Sequence, residues 1–148
     1  MSGFETYFGT DFKMIVDDEV VDVKASEFTK DLKLVILYFS AHWCPPCRST
    51  TPILIKLYKQ MQEEKLPVEV IFCSFDHGVD EWENYYKTMP WKAFPSGDKR
   101  YQDLANLCHV TGIPGIVVMK PDGTIINEEA RSELTNPKAL DQVKEWIK

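Results

Sequence analysis

The chain has 148 residues, 44% of them hydrophobic, and a formal net charge of −6. That length buries one sizeable core and is short for two, so a single domain over residues 1–148 is expected. The mild acidity, with no Lys/Arg cluster, argues against nucleic acid or an anionic membrane as partner. No apolar run reaches the roughly 18 residues of a membrane span, and the start MSGFETYFGTDFK lacks the basic and apolar segments of a secretion signal. A cytoplasmic location is therefore expected. The four cysteines do not read as a disulfide scaffold, because cytosolic thiols are kept reduced.

Taken in chain order, "FKMIV" and "EVVDV" flank Asp17-Asp18 and read as a small extra β-hairpin. "KLVILYFS", residues 33–40, is continuously apolar rather than alternating, as expected of a central strand covered on both faces. After Cys47, Ile53, Leu54, Leu57, Tyr58 and Met61 keep a helical spacing, and "VEVIFCSF" from Val68 is the next apolar run. Strand, helix and strand of this length make a right-handed βαβ unit. Trp82, Tyr85, Tyr86 and Met89, and again Tyr101, Leu104, Ala105 and Cys108, predict two amphipathic helices. "GIVVMKPDGTII" predicts two short strands around a Pro-Asp-Gly turn at one sheet edge. At the end, Asn136 reads as an N-cap and Pro137 as the first helical residue, with Leu140, Val143 and Ile147 as the buried stripe. The fold class expected is a mixed α/β sheet with helices on both faces.

"AHWCPPCRSTTP", residues 41–52, sits where the central strand ends and the first long helix begins, the usual place for a site in an open α/β sheet. Cys44 stands in front of that helix, where unpaired N–H groups and the positive end of the dipole stabilise a thiolate. It is the better nucleophile. Cys47, one turn inside, can attack a mixed disulfide formed at Cys44 and release the product, so it is the resolving thiol. Pro45 and Pro46 need no donor at the helix start and stiffen the loop between the sulfurs. Pro52 removes a hydrogen bond to the Arg48 carbonyl and predicts a kink. A zinc site would need a second ligand pair, and Cys73, Cys108, His42, His77 and His109 have no regular spacing for one. No metal and no bound cofactor are expected. Cys73 and Cys108 read as small buried hydrophobes, and His42 as a solvated loop residue with a secondary reading as a tuner of Cys44.

"VILYFSAHWCPPCR" resembles the active site of the thioredoxin superfamily, and "WCPPC" resembles tryparedoxins and nucleoredoxins in particular. "CRSTTPILIKLY", "YYKTMPWKAFP" and "VTGIPGIVV" are similar to three further segments of that family, in the same order, over roughly residues 10 to 148. The resemblance implies a thioredoxin-like fold with extra N-terminal strands and a redox-active disulfide between Cys44 and Cys47. It implies that Ile113 and a cis Pro114 lie beside the sulfurs, that the Ile113 backbone pairs with an extended substrate, and that Trp43 covers the site. Trp43, Pro45, Pro46, Ile113 and Pro114 are the substrate-binding candidates. Trp91 and Met89 read as core packing, with Trp91 a secondary candidate for the groove border; Arg131 matches a basic residue near the family's site or is simply solvated.

Three departures bear on mechanism. Tyr38 stands six residues before Cys44, where thioredoxins carry a buried carboxylate, a feature shared with tryparedoxins. "FDHGVDEW" replaces the acidic run that suits a polyamine-bearing dithiol, which disfavours trypanothione as donor. Gly115 follows Pro114 where Thr is common, which predicts a wider groove or a looser loop. The function expected is a monomeric protein-disulfide reductase, taking electrons from a low-molecular-weight dithiol or a flavoprotein reductase and passing them to oxidised proteins such as peroxiredoxins. The alternative is a nucleoredoxin-like protein whose thiols gate binding to a partner.

Overall fold

The computed structural model describes residues 3–148. One sheet of seven strands organises them: β1 (Asp11–Val16), β2 (Glu19–Lys24), β3 (Leu34–Ser40), β4 (Val68–Ser74), β5 (Lys92–Ala93), β6 (Gly115–Met119) and β7 (Ile125–Asn127), in the order β2-β1-β5-β4-β3-β6-β7. β3, β4 and β5 run parallel; the pairs β1·β2, β1·β5, β3·β6 and β6·β7 are antiparallel. The expected mixed sheet, the N-terminal hairpin and the edge hairpin are all present.

Every residue of β3 is buried, and its side chains alternate between two cores. Leu34, Ile36 and Tyr38 join a core with α2 (Pro45–Glu63), α3 (Val79–Tyr86), α5 (Arg131–Leu134) and α6 (Ala139–Trp146). Val35, Leu37 and Phe39 join a second core with α1 (Gly3–Phe8) and α4 (Lys99–Leu107). The period of two along a strand explains why an unbroken apolar run is needed there: each face has its own helices to meet.

α2 buries Cys47, Thr50, Thr51, Leu54, Leu57, Tyr58 and Met61 along one stripe and continues through Pro52. The hydroxyls of Ser49, Thr50 and Thr51 bond back to the carbonyls of Pro45, Pro46 and Cys47 at 3.4, 3.0 and 3.0 Å, so side chains reinforce a turn in which three prolines withhold donors.

Five elements differ from the sequence reading. α3 ends at Tyr86, and Met89 is buried from the turn beyond it, where its N–H bonds to the Tyr86 carbonyl at 2.8 Å. α6 begins at Ala139 rather than at Pro137, because Asn136 uses its side chain in a turn, accepting from Lys138 N–H at 2.7 Å. Its buried residues are Ala139 and Val143, whereas Leu140 and Ile147 are only partly covered. The short α1 and α5 and the two-residue β5 carry too little periodic signal to be read in advance.

Candidate active site

The site is assembled where β3 stops. Cys44 is the N-cap of α2: its backbone is extended, and its Sγ accepts the Cys47 N–H at 3.3 Å. Its carbonyl accepts Arg48 N–H at 3.2 Å, the first bond of the helix. Cys44 and Cys47 are joined by a disulfide with their Cα atoms 5.2 Å apart, within the usual span. Cys44 retains 5% of its accessible surface and Cys47 none, so only Cys44 offers a sulfur to a partner. Pro45 and Pro46, the first two residues of α2, are exposed between them.

The loop before β6 closes the site from the other side. The Ile113–Pro114 peptide is cis, as the resemblance implied, and the Ile113 carbonyl lies 3.9 Å from Cys44 Sγ. The same loop carries Gly115. A β carbon there would stand 3.2 Å from the Gly112 carbonyl and from a Val110 methyl, and 3.6 Å from Phe39 Cβ. Glycine at the first position of β6 thus serves close packing against β3 and the cis-proline loop.

Trp43 is half exposed; its indole N–H donates to the Phe75 carbonyl at 3.0 Å and its ring stacks on His77 at 5.6 Å. Asp76 ties the same two loops together, accepting His42 N–H and the Ser74 hydroxyl at 2.8 Å each. Between these loops and the cis-proline loop lies a groove of about 380 Å³ lined by Trp43, Phe75, His77, Val110, Thr111, Gly112 and Ile113. Five of the seven site candidates, Trp43, Cys44, Cys47, Ile113 and Pro114, therefore converge, and Pro45 and Pro46 form the rim. Phe75, Asp76, His77 and Val110 were not singled out as site residues; the position of "FDHG" after a central strand could have pointed to the first three, and the start of "VTGIPGIVV" to Val110.

Other candidates fall elsewhere. Trp91 is fully buried, edge-on to Tyr38 and Tyr58 at 5.8 and 5.7 Å, and Met89 is buried too, so neither borders the groove. Arg131 is exposed on α5. His42 is exposed with its ring 5.5 Å from that of Tyr85. Cys73 and Cys108 are free and buried; burial raises the Cys73 thiol well above its ordinary range and pushes Cys108 up to about 11, which keeps both protonated and inert.

Beneath Cys47, where Tyr38 takes the place of a carboxylate as the sequence showed, hydroxyls gather. Tyr38 Oη and Thr51 Oγ1 both donate to the Cys47 carbonyl, at 3.1 and 3.0 Å, and lie 2.7 Å from each other. Thr51 Oγ1 is 2.8 Å from Tyr85 Oη, which is 2.7 Å from Ser40 Oγ. All four side chains are buried, and burial raises the Tyr38 phenol above its ordinary range.

Comparison with known proteins agrees with this geometry. A thioredoxin-like family model matches residues 31–125, which spans both cysteines, the cis-proline loop and most of the sheet. The chain is 46% identical over 99 residues to probable nucleoredoxin 1 of Arabidopsis thaliana, covering 67% of this chain and 17% of that protein. It thus spans about a fifth of the length of the curated nucleoredoxins it matches. Among solved structures it is similar to tryparedoxin II of C. fasciculata (36% identity, TM-score 0.80, covering 95% of this chain and 96% of that one). It is similar also to thioredoxin from Wuchereria bancrofti (33% identity, TM-score 0.78, 95% and 96%). Among the described residues no helix is long and apolar enough to cross a membrane. With a CxxC disulfide at the N-terminus of α2, a cis-proline facing it and a family model covering both, the chain belongs to the thioredoxin-like family of redox proteins.

Proposed function

We propose that the protein is a dithiol–disulfide oxidoreductase that reduces disulfides in other proteins, with Cys44 attacking and Cys47 resolving. The observation that carries this reading is the asymmetry of the pair: Cys44 is the helix N-cap, its sulfur receives an N–H and it keeps 5% of its surface open, while Cys47 is fully enclosed one turn later. The Cys44 thiolate attacks one sulfur of the substrate disulfide; that S–S bond breaks, and the departing thiolate takes up a proton. Cys47 then loses its proton to water, its thiolate attacks Cys44 Sγ, and the second substrate thiolate leaves. Two electrons have passed to the substrate and the Cys44–Cys47 disulfide remains, to be reduced by a donor. An extended substrate segment lies along the groove, its backbone pairing with Ile113 and its side chain against Trp43. No bound cofactor is required.

The acceptors are oxidised proteins of the peroxiredoxin kind, and the donor is a low-molecular-weight dithiol or a flavoprotein reductase. "FDHGVDEW" stands in place of an acidic run suited to a polyamine-bearing dithiol, which argues against trypanothione. The protein acts as a monomer in the cytoplasm. A coupled assay decides the pathway: purified protein is offered trypanothione with its reductase, glutathione with its reductase, and thioredoxin reductase with NADPH, with insulin as common acceptor. Rapid turnover with one donor, abolished in Cys44→Ser and reduced to a single stoichiometric event in Cys47→Ser, is expected. Stoichiometric oxidation without turnover for all three donors would favour a nucleoredoxin-like protein whose dithiol gates partner binding.

A further inference from the structure

Cys47 lies in the first turn of α2, after Pro45 and Pro46, and Pro52 cannot donate to the carbonyl of its neighbour Arg48. Next to that gap in the helix ladder, four buried hydroxyls from three different elements converge on the Cys47 carbonyl. Tyr38 and Ser40 come from β3, Thr51 from α2 and Tyr85 from α3. The contacts number five, yet four hydroxyls carry four protons, so the donors must be ordered. One order consistent with these contacts runs from Ser40 to Tyr85, from Tyr85 to Thr51, and from Thr51 to the Cys47 carbonyl, with Tyr38 as a second donor on the same oxygen. Every arrow ends at Cys47.

Such a chain does not take the Cys47 proton. It contains no carboxylate, and the Tyr38 phenol is held protonated by burial. What it does is fix a backbone atom. During resolution Cys47 Sγ must find Cys44 Sγ while Cys44 carries the substrate, and a misplacement of about 1 Å in such a step costs up to roughly 100-fold in rate.

We propose that Thr51 and Tyr85, held by Tyr38 and Ser40, are positioning residues for the resolving thiol, so that their hydroxyls set the rate at which Cys47 displaces the bound substrate. This rests on the reading of Cys47 as resolving thiol, and the test separates the two. The reduced protein is mixed with 5,5′-dithiobis(2-nitrobenzoate) in a stopped-flow instrument. Attack by Cys44 releases one equivalent of thionitrobenzoate in a phase that depends on reagent concentration. Attack by Cys47 on the Cys44 mixed disulfide releases the second in a phase that does not. Wild-type protein that releases only one equivalent, like Cys47→Ser, would remove the resolving role and the proposal with it.

Given two equivalents from wild type, Thr51→Val and Tyr85→Phe are expected to slow the second phase by about tenfold or more. The first phase and Cys44 alkylation by iodoacetamide should stay within about twofold of wild type, and Thr51→Ser, which restores the hydroxyl, should recover the second phase. An unchanged second phase in both variants would overturn the proposal. So would a second phase that slows only in step with the first, or with a loss of melting temperature that Thr51→Ser does not repair, since a merely structural hydroxyl behaves in that way.

Discussion

Trp43 has two jobs that only the folded structure separates. Its N–H on the Phe75 carbonyl and its stack on His77 close one loop against another, while the exposed half of the ring walls the groove beside Cys44. Truncating a half-buried aromatic anchor of this kind costs about 2 kcal/mol of binding when it meets a partner. Trp43→Ala is therefore expected to lower kcat/KM for a protein disulfide by about 10- to 30-fold through KM, as Michaelis curves against an oxidised protein acceptor would show. A change in kcat alone would place Trp43 outside the groove's binding role. At Cys44, the Cys47 N–H and the open end of α2 both favour the thiolate. In reduced protein, iodoacetamide should alkylate Cys44 with a rate that has levelled off below pH ~8.5, where a free thiol is only half ionised. The cysteine pair and the sulfur that faces out were legible because a CPPC run between a buried strand and a helix already dictates both. The hydroxyls under Cys47 were not: Thr51 and Tyr85 are 34 residues apart, and a threonine or tyrosine on a helix carries no mark of the partner it will meet.

Among the elements, β3, α2 and β4 were readable from apolar runs and spacing, since each is long enough to carry the pattern of the surfaces it buries. β5 was not, because its two residues become a strand only by lying between Lys13 of β1 and Ile71 and Phe72 of β4. Through that bridge the N-terminal hairpin joins the sheet. Arg100 at the start of α4 fastens the same region from the other side. It pairs with both oxygens of Asp98 at 2.8 Å, donates to the carbonyls of Phe8 and Asp11 at 3.2 and 2.6 Å, and lies 5.1 Å from the ring centres of Phe12 and Phe94. Its guanidinium also fills the space where a side chain at Gly9 would begin, and Gly9 has a φ of +82° that suits glycine. Burial works to raise the Asp98 carboxyl, but the hydrogen bonds and charge of Arg100 hold it below its ordinary value. Stability from the pair is thus present above the unfolded carboxyl's range near pH 4 and is lost as pH falls through the lower folded value. Arg100→Met should cost about 2 kcal/mol at neutral pH, because charge-assisted bonds to two carbonyls and a carboxylate disappear together. Urea unfolding would register it as a lower midpoint, with a cost that shrinks toward pH 3.

For the molecule as a whole, the buried polar side chains among the described residues are hydroxyls apart from Glu69, whose carboxyl gives the fold a pH dependence of its own. It is 8% exposed, accepts the Tyr58 hydroxyl at 2.8 Å and has Lys92 at 3.7 Å. Burial raises its carboxyl above the ordinary range, and the Lys92 charge and the Tyr58 bond only partly oppose this. A carboxyl raised in the folded state binds its proton more tightly there than in the unfolded chain. Its contribution is therefore full below the unfolded value near pH 4 and declines as pH rises toward the folded value. Glu69→Gln keeps the Tyr58 bond and removes the titration. The slope of unfolding free energy against pH above about 4 should flatten in this variant, measured by urea titration at several pH values; an unchanged slope would mean that another group governs it. The uneven burial of the four tryptophans has a further, optical consequence. Trp82 and Trp91 are enclosed, Trp146 is partly covered, and Trp43 alone is half in water and next in sequence to Cys44. A disulfide quenches a neighbouring excited indole by accepting its electron, and a dithiol does so far less. Ultraviolet emission of the unlabelled protein should consequently brighten at the red, solvent-exposed end of its spectrum when the pair is reduced, so each turnover carries its own light signal.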